Sequence, residues 1–266
     1  MESLAGLRER RAFECRLTPD RALGSLDEAE GFLRERGMLT RTTDSALPSL
    51  YEACHEEAYQ PGGHGFAAWP ATKWPWFGEL GGRGYLCVAV HRGKNLLTSP
   101  PSAALLDPIC RAETDRMRAA DPAWRRLLDH LAMTGPSLIE DLRVELDLKR
   151  QELKALRHPL ERSGAIVARS VATASAGAGA EEDRHSHPTE LSRWDQAYPS
   201  DQAAAPADPV TALGDLLVAA VHGAVVAPEA EVRRWFSWQW YWTSTLVDDL
   251  IRAARLRRVD TQLTAG

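Results

Sequence analysis

The chain is short of cysteine and almost balanced in charge, and it has no long apolar run. Its four cysteines, Cys15, Cys54, Cys87 and Cys110, lie far apart and form no CxxC pair, which excludes a zinc-ribbon spacing and a dense disulfide framework. A formal charge of -5 over 266 residues excludes a highly basic coat protein or a polybasic membrane-surface binder. The most apolar stretch, Leu213 to Ala227, is interrupted by Asp215, His222 and Gly223 and is too short to span a bilayer. Met1 to Arg16 mixes Arg with Glu and lacks the apolar core of a secretory signal. A reducing, cytoplasmic setting without membrane association is therefore expected. No phosphate-binding GxxxxGK loop, GxSxG elbow or GxGxxG turn is present, which argues against common nucleotide-dependent enzymes and hydrolases. No cofactor and no metal are expected. What remains is 44% hydrophobic and 26% charged, enough to bury a sizeable core.

Two stretches read as linkers by composition: Ala172 to Ala180, made only of Ala, Thr, Ser and Gly, and Pro199 to Asp208. The block between Pro122 and Asp195 has the clearest periodicity. Asp121 and Pro122 open a helix whose Trp124, Leu127, Leu128 and Leu131 recur at helical spacing until Gly135. Ser137 with Glu140 reads as the capping box of a second, short helix. A third runs from about Lys149 to Ser163, with Leu153, Leu156 and Leu160 inward, and Gly164 closes it. A strand from Ala165 to Thr173 and a return strand from His185 to Arg193 complete the order of a winged helix-turn-helix.

The last block repeats that order, with helices over 210–222, 228–235 and 243–254 and a strand over 256–259. A weaker unit begins with the helix from Ser25 to Arg36, followed by a strand over Met38 to Arg41. Between them Trp69, Trp74, Trp76 and Phe77 alternate with Pro70 and Pro75, which predicts an irregular aromatic segment. Gly84 to Thr98 reads as a β-hairpin with a basic tip at Arg92 and Lys94. The expected fold is mainly α with small β-hairpins, an α+β protein of tandem winged helix-turn-helix units. The expected division is 1–50, 51–120, 121–198, a linker over 199–208, and 209–266.

Over Lys149 to Arg169 six cations, Lys149, Arg150, Lys154, Arg157, Arg162 and Arg169, stand against Glu152 and Glu161. On a helix that enters the major groove, Lys and Arg can contact guanine or phosphate, and Gln151 can read adenine. Lys149, Arg150, Gln151, Lys154, Arg157, Arg169, Arg92 and Lys94 are thus candidate contacts to double-stranded DNA. In the last block Asp248 and Asp249 occupy the corresponding helix and would repel phosphate, so packing or homodimerisation is the expected role there. Trp235, Trp238, Trp240 and Trp242 could stack bases, but an aromatic hinge between units is the better account. His55, His64 and His91 lack the spacing of a metalloprotease. His185 and His187 read as surface histidines of a wing.

From His91 to Arg258 the arrangement resembles the AlkZ/YcaQ-like family of tandem winged-helix DNA glycosylases. Arg92-Gly93-Lys94-Asn95-Leu96 looks like a degenerate form of that family's Arg-Gly-Thr-Leu-His segment. The resemblance implies DNA binding and, as an activity, removal of alkylated bases or unhooking of crosslinks. The family's Gln-x-Gln/Asp motif has no counterpart. Glutamines 60, 151, 196, 202, 239 and 262 are followed two positions on by Gly62, Leu153, Tyr198, Ala204, Tyr241 and Thr264. Glu52, Glu56, Glu57 and Glu79 are the carboxylates that could orient a water instead, with nothing to select among them. The leading expectation is a DNA-binding protein linked to repair. An active glycosylase with a non-standard carboxylate, and an interaction scaffold or transcription regulator, are the alternatives.

Overall fold

A computed structural model describes residues 2–61, 68–171, 188–199 and 208–266. After a first helix, α1 (Leu4–Glu14), one element order occurs three times. The first set is α2 (Leu26–Arg36), β1 (Met38–Thr40), a 3-10 turn at Glu52–Cys54, α3 (Trp76–Gly82), β2 (Leu86–His91) and β3 (Lys94–Thr98). After a long helix, α4 (Pro100–Ala120), the second set is α5 (Pro122–Thr134), β4 (Ser137–Leu138), α6 (Ile139–Glu145), α7 (Arg150–Ser163), β5 (Ile166–Ser170) and β6 (Thr189–Arg193). A single turn, α8 (Trp194–Ala197), follows. The third set is α9 (Pro209–Ala224), β7 (Val226–Pro228), α10 (Glu229–Val232), α11 (Leu246–Arg252), β8 (Leu256–Val259) and β9 (Gln262–Ala265). Each set makes an antiparallel three-stranded sheet with its last strand in the centre: β1-β3-β2, β4-β6-β5 and β7-β9-β8. The α+β class expected from the sequence is the one observed.

The caps explain the helix limits. Ser25 Oγ accepts the Glu28 amide at 3.2 Å and opens α2, while Gly37, at φ 79°, ends it. Asp121 accepts the amides of Ala123 and Trp124 at 2.7 and 3.4 Å to open α5, and Asp208 does the same for Val210 and Thr211 in α9. Each is followed by a proline in the first helical turn, where the missing N–H costs nothing. For α7 the Lys149 amide donates to Glu152 Oε2 at 2.7 Å.

Several local expectations change. Ser137 does not cap a helix. Its backbone and that of Leu138 pair with Leu191 and Glu190 as β4, and its hydroxyl donates to the Gly135 carbonyl, so α6 starts two residues later. Trp76 and Phe77 are helical because Pro75 stands at the N-cap of α3, outside the hydrogen-bonded turns. β1 pairs with β3, Met38 opposite Thr98, so one sheet joins residues on both sides of the boundary expected at 50. Of the return strand, Thr189–Arg193 is formed; His185 and His187 lie outside the described residues, as does most of both linkers and His64.

Three clusters form the core. Leu23, Phe32, Leu33, Leu50, Tyr51 and Phe77 fill the first set. Leu127, Leu128, Leu131, Leu142, Leu153, Leu160 and Leu191 fill the second. The largest binds α4 and α9 to the first sheet and to Trp194, Trp235, Phe236 and Trp238. Helix α4 serves all three sets, with Leu106, Ile109 and Cys110 in the largest cluster and Met117 in that of the second set. Among the described residues no helix is long and apolar enough to cross a membrane.

Candidate nucleic-acid interface

Helix α7 carries the candidate surface. Leu153 and Leu160 are fully buried and anchor one face. The 3.6-residue period then sets Arg150, Lys154 and Arg157 in a row along the edge of that face, beside Leu153, with Lys149 and Gln151 exposed at the helix start. Arg150, Gln151, Leu153, Lys154 and Arg157 line one side of a groove of about 610 Å³, closed on the other side by Leu138, Ile139, Glu140, Pro188 and Thr189. The row is only lightly neutralised. Glu152 spends a carboxylate oxygen on the Lys149 amide, and Glu140 pairs with Arg143 on its own helix. Arg157 lies 3.6 Å from Glu161, whose carboxyl is pushed up by burial against the opposing pull of Arg157 and His158. Lys149, Arg150 and Lys154 have no ion pair among the described residues. Arg169 is exposed on β5, cross-strand from Glu190 and apart from the groove lining.

The two hairpin candidates are placed differently. Arg92 and Lys94 both meet Asp44, from the loop after β1. Lys94 pairs with its carboxylate, and Arg92 donates to its backbone carbonyl and sits 3.5 Å from Oδ1. Charge that the sequence offered to a ligand is thus partly used within the chain. Gly93, between them at φ 77°, abuts α7: a Cβ there would come within 3.0 Å of Arg162 Nε. The side chains of Asp44 and Arg162 are the features that sequence reasoning did not single out. Asp44 carried no signal, and Arg162 was one cation in a run.

His91 is fully buried beside this tip, 3.4 Å from Asp44 Oδ1, with no hydrogen bond to either ring nitrogen among the described residues. Burial lowers its pKa, and Asp44 only partly opposes the shift. His55 is occupied by the Arg16 carbonyl at 2.7 Å. Of the four candidate carboxylates, Glu56 is tied to Thr72 and Lys73. Burial would raise it, but those hydrogen bonds bring it below the usual range. Neither Glu56 nor Glu52, Glu57 or Glu79 lines the α7 groove.

The aromatic segment does not face α7. Trp69 and Trp74 stack at 6.2 Å, Tyr51 donates to the Trp74 carbonyl at 2.5 Å, and Arg41 lies over Trp69 and Phe77. This is a closed cluster of the first set. The second tryptophan group is mostly a joint, as expected: Trp235 and Trp238 are fully buried, and Trp238 Nε1 donates to the Ser163 carbonyl at the end of α7. Trp240 alone of these is half exposed, held by Nε1 on the buried Glu113 and covered by Arg116. In the third set most of the arginines are paired: Arg233 with Glu229, Arg252 with Asp249, Arg255 with Asp215, and Arg258 with Glu229 and Asp248.

Among solved structures the chain is similar to the Streptomyces sahachiroi DNA glycosylase AlkZ, with a TM-score of 0.59 over 99% of this chain and 70% of that one, at 13% identity. The likeness is one of fold. No family model and no curated protein sequence matches the chain. The AlkZ match spans all three sets, including the amino-terminal third, where the sequence resemblance was weakest.

Proposed function

We propose that the chain is a double-stranded-DNA-binding protein whose three sets act as tandem winged helices, and that the second set reads the duplex through α7. The observation that carries this is the row of Arg150 and Lys154 with Gln151, unpaired among the described residues, on a helix anchored in the core by the adjoining Leu153 and Leu160. A cationic row with few carboxylates against it among the described residues attracts a polyanion, and Gln151 adds a base-edge donor and acceptor. Arg157 and Arg169 are assigned to backbone contacts, Arg92 and Lys94 to the flanking hairpin. The fold shared with a DNA glycosylase favours a role in repair, with alkylated or crosslinked bases as substrate class.

Binding to a labelled duplex is measured against salt. Neutralising several phosphates makes log affinity fall linearly with log salt, by about 0.9 per phosphate contact. Arg150→Glu with Lys154→Glu, both exposed and without an ion pair among the described residues, should abolish binding while leaving the thermal midpoint close to the parent value. Absence of binding at low salt by the parent chain overturns the reading. It would favour the scaffold, to which the closed Trp69–Trp74 cluster already lends support. Glycosylase activity is tested separately, by release of free base and formation of abasic sites on alkylated duplex. No release over several lesion types leaves a DNA-binding protein without that chemistry.

A further inference from the structure

We propose that the β2–β3 tip and the end of α7 together form a second phosphate-binding site that joins the first and second sets on one DNA backbone. It rests on the reading of the chain as a duplex-binding protein and adds Arg162, Lys94 and Arg92 as one cluster. Arg162 is exposed on α7, and its side chain lies against Gly93, the residue between Arg92 and Lys94. Arg92 and Lys94 share one carboxylate, Asp44, and Arg162, against the glycine between them, has no ion pair of its own among the described residues. Neighbouring Glu161 does not help, because its carboxylate is turned to Arg157 and mostly buried. Like charges brought together with too few carboxylates repel one another. That cost is offset when an anion enters, and two guanidiniums with an ammonium are the donor set that suits phosphate oxygens. The buried Nε of Arg92 has no hydrogen-bond partner among the described residues, so the cluster is also short of acceptors.

The spacing fits a duplex. Arg150 and Arg162 are separated along α7 by about 18 Å at 1.5 Å per residue. That is well under one turn of B-DNA, roughly 34 Å, and Arg162 lies about a third of a turn round the helix from Arg150, so the tip is assigned to the backbone flanking the groove. The chemistry is phosphate, whose source is either a nucleic-acid backbone or a free anion, and the backbone is the one favoured by the cationic row on the same helix.

The test uses the full chain and a labelled mixed-sequence 20-bp duplex over a range of salt, with Arg162→Gln, Lys94→Ala and the double variant. Both side chains are exposed, and Gln retains much of the packing of Arg162 on Gly93, so thermal midpoints should hold. Each single variant is expected to reduce the slope of log affinity against log salt by about 0.9, and the double variant by about twice that. In parallel, calorimetry with inorganic pyrophosphate should show no binding that depends on Arg162. A double variant that keeps the parent slope overturns the proposal. So does Arg162-dependent pyrophosphate binding with an unchanged slope, which would assign the cluster to a free anion. Failure of the parent chain to bind duplex removes the underlying reading as well, and it is recognised because it occurs without any substitution.

Discussion

At the scale of single residues, burial decides chemistry more than residue type does. The four thiols are free, and burial pushes Cys15 and Cys87 up to about 11, Cys54 up to about 12 and Cys110 well above the ordinary value. Since only the thiolate reacts, iodoacetamide at pH 8 should leave the native chain unlabelled and modify all four sites in denaturant, as read by intact mass. His91 gives a pH dependence. Its folded pKa lies below the unfolded value of about 6.5, so the unfolded chain takes up the proton first. Stability is then full above that value and falls as the pH drops through 6.5 toward the folded pKa. Asp44 reduces this effect and Arg92 adds to it. Urea midpoints measured from pH 7.5 to 5 should fall less steeply for His91→Gln than for the parent. An equal slope in both would show that His91 is not held neutral.

At the scale of elements, what was legible is what local spacing specifies. The leucines at 153, 156 and 160 place the buried face of α7, Gly164 its end, and Asp121 and Pro122 the start of α5. What was not legible depends on partners distant in the chain. The two residues of β4 are a strand only because Leu191 and Glu190 come to lie beside them, and Pro75 permits α3 because the helix starts after it. Gly164 shows both influences. Its φ of 80° suits glycine, which sequence suggests, but a Cβ would also meet Cys110 Sγ at 2.5 Å, which only packing reveals. Gly164→Ala should lower stability by about 2 kcal/mol or more, combining left-handed backbone cost with overlap. Adding Cys110→Ala should recover the overlap component and leave the backbone component, measured as urea midpoints at unchanged m-value. No recovery would place the whole cost in the backbone.

At the scale of the molecule, three small sheets are held to one another by α4, α9 and the 235–242 segment. Trp238 is the clearest joint: its ring is fully buried and its indole N–H reaches the Ser163 carbonyl, while the adjacent Ser237 amide donates to the Val90 carbonyl of β2 at 3.0 Å. Trp238→Ala should cost about 3–5 kcal/mol, through the cavity and the carbonyl left without its donor. Because the ring ties the third set to both the hairpin and α7, duplex binding should weaken along with the thermal midpoint. Trp240→Ala should cost less, about 1–2 kcal/mol, since half of that ring is already in water and the main loss is the donor to buried Glu113.

The sequence by itself determined the α+β class, the helices with strong caps and apolar period, and the basic character of α7, because each of these depends on residues a few positions apart. Which cations remain available was decided by the tertiary structure. Arg92 and Lys94 met Asp44 some fifty residues away, Arg252, Arg255 and Arg258 of the third set met carboxylates of their own, and Arg150 and Lys154 met none among the described residues. Electrostatic neutralisation acts through space at a few ångströms, and position in the chain does not encode that distance.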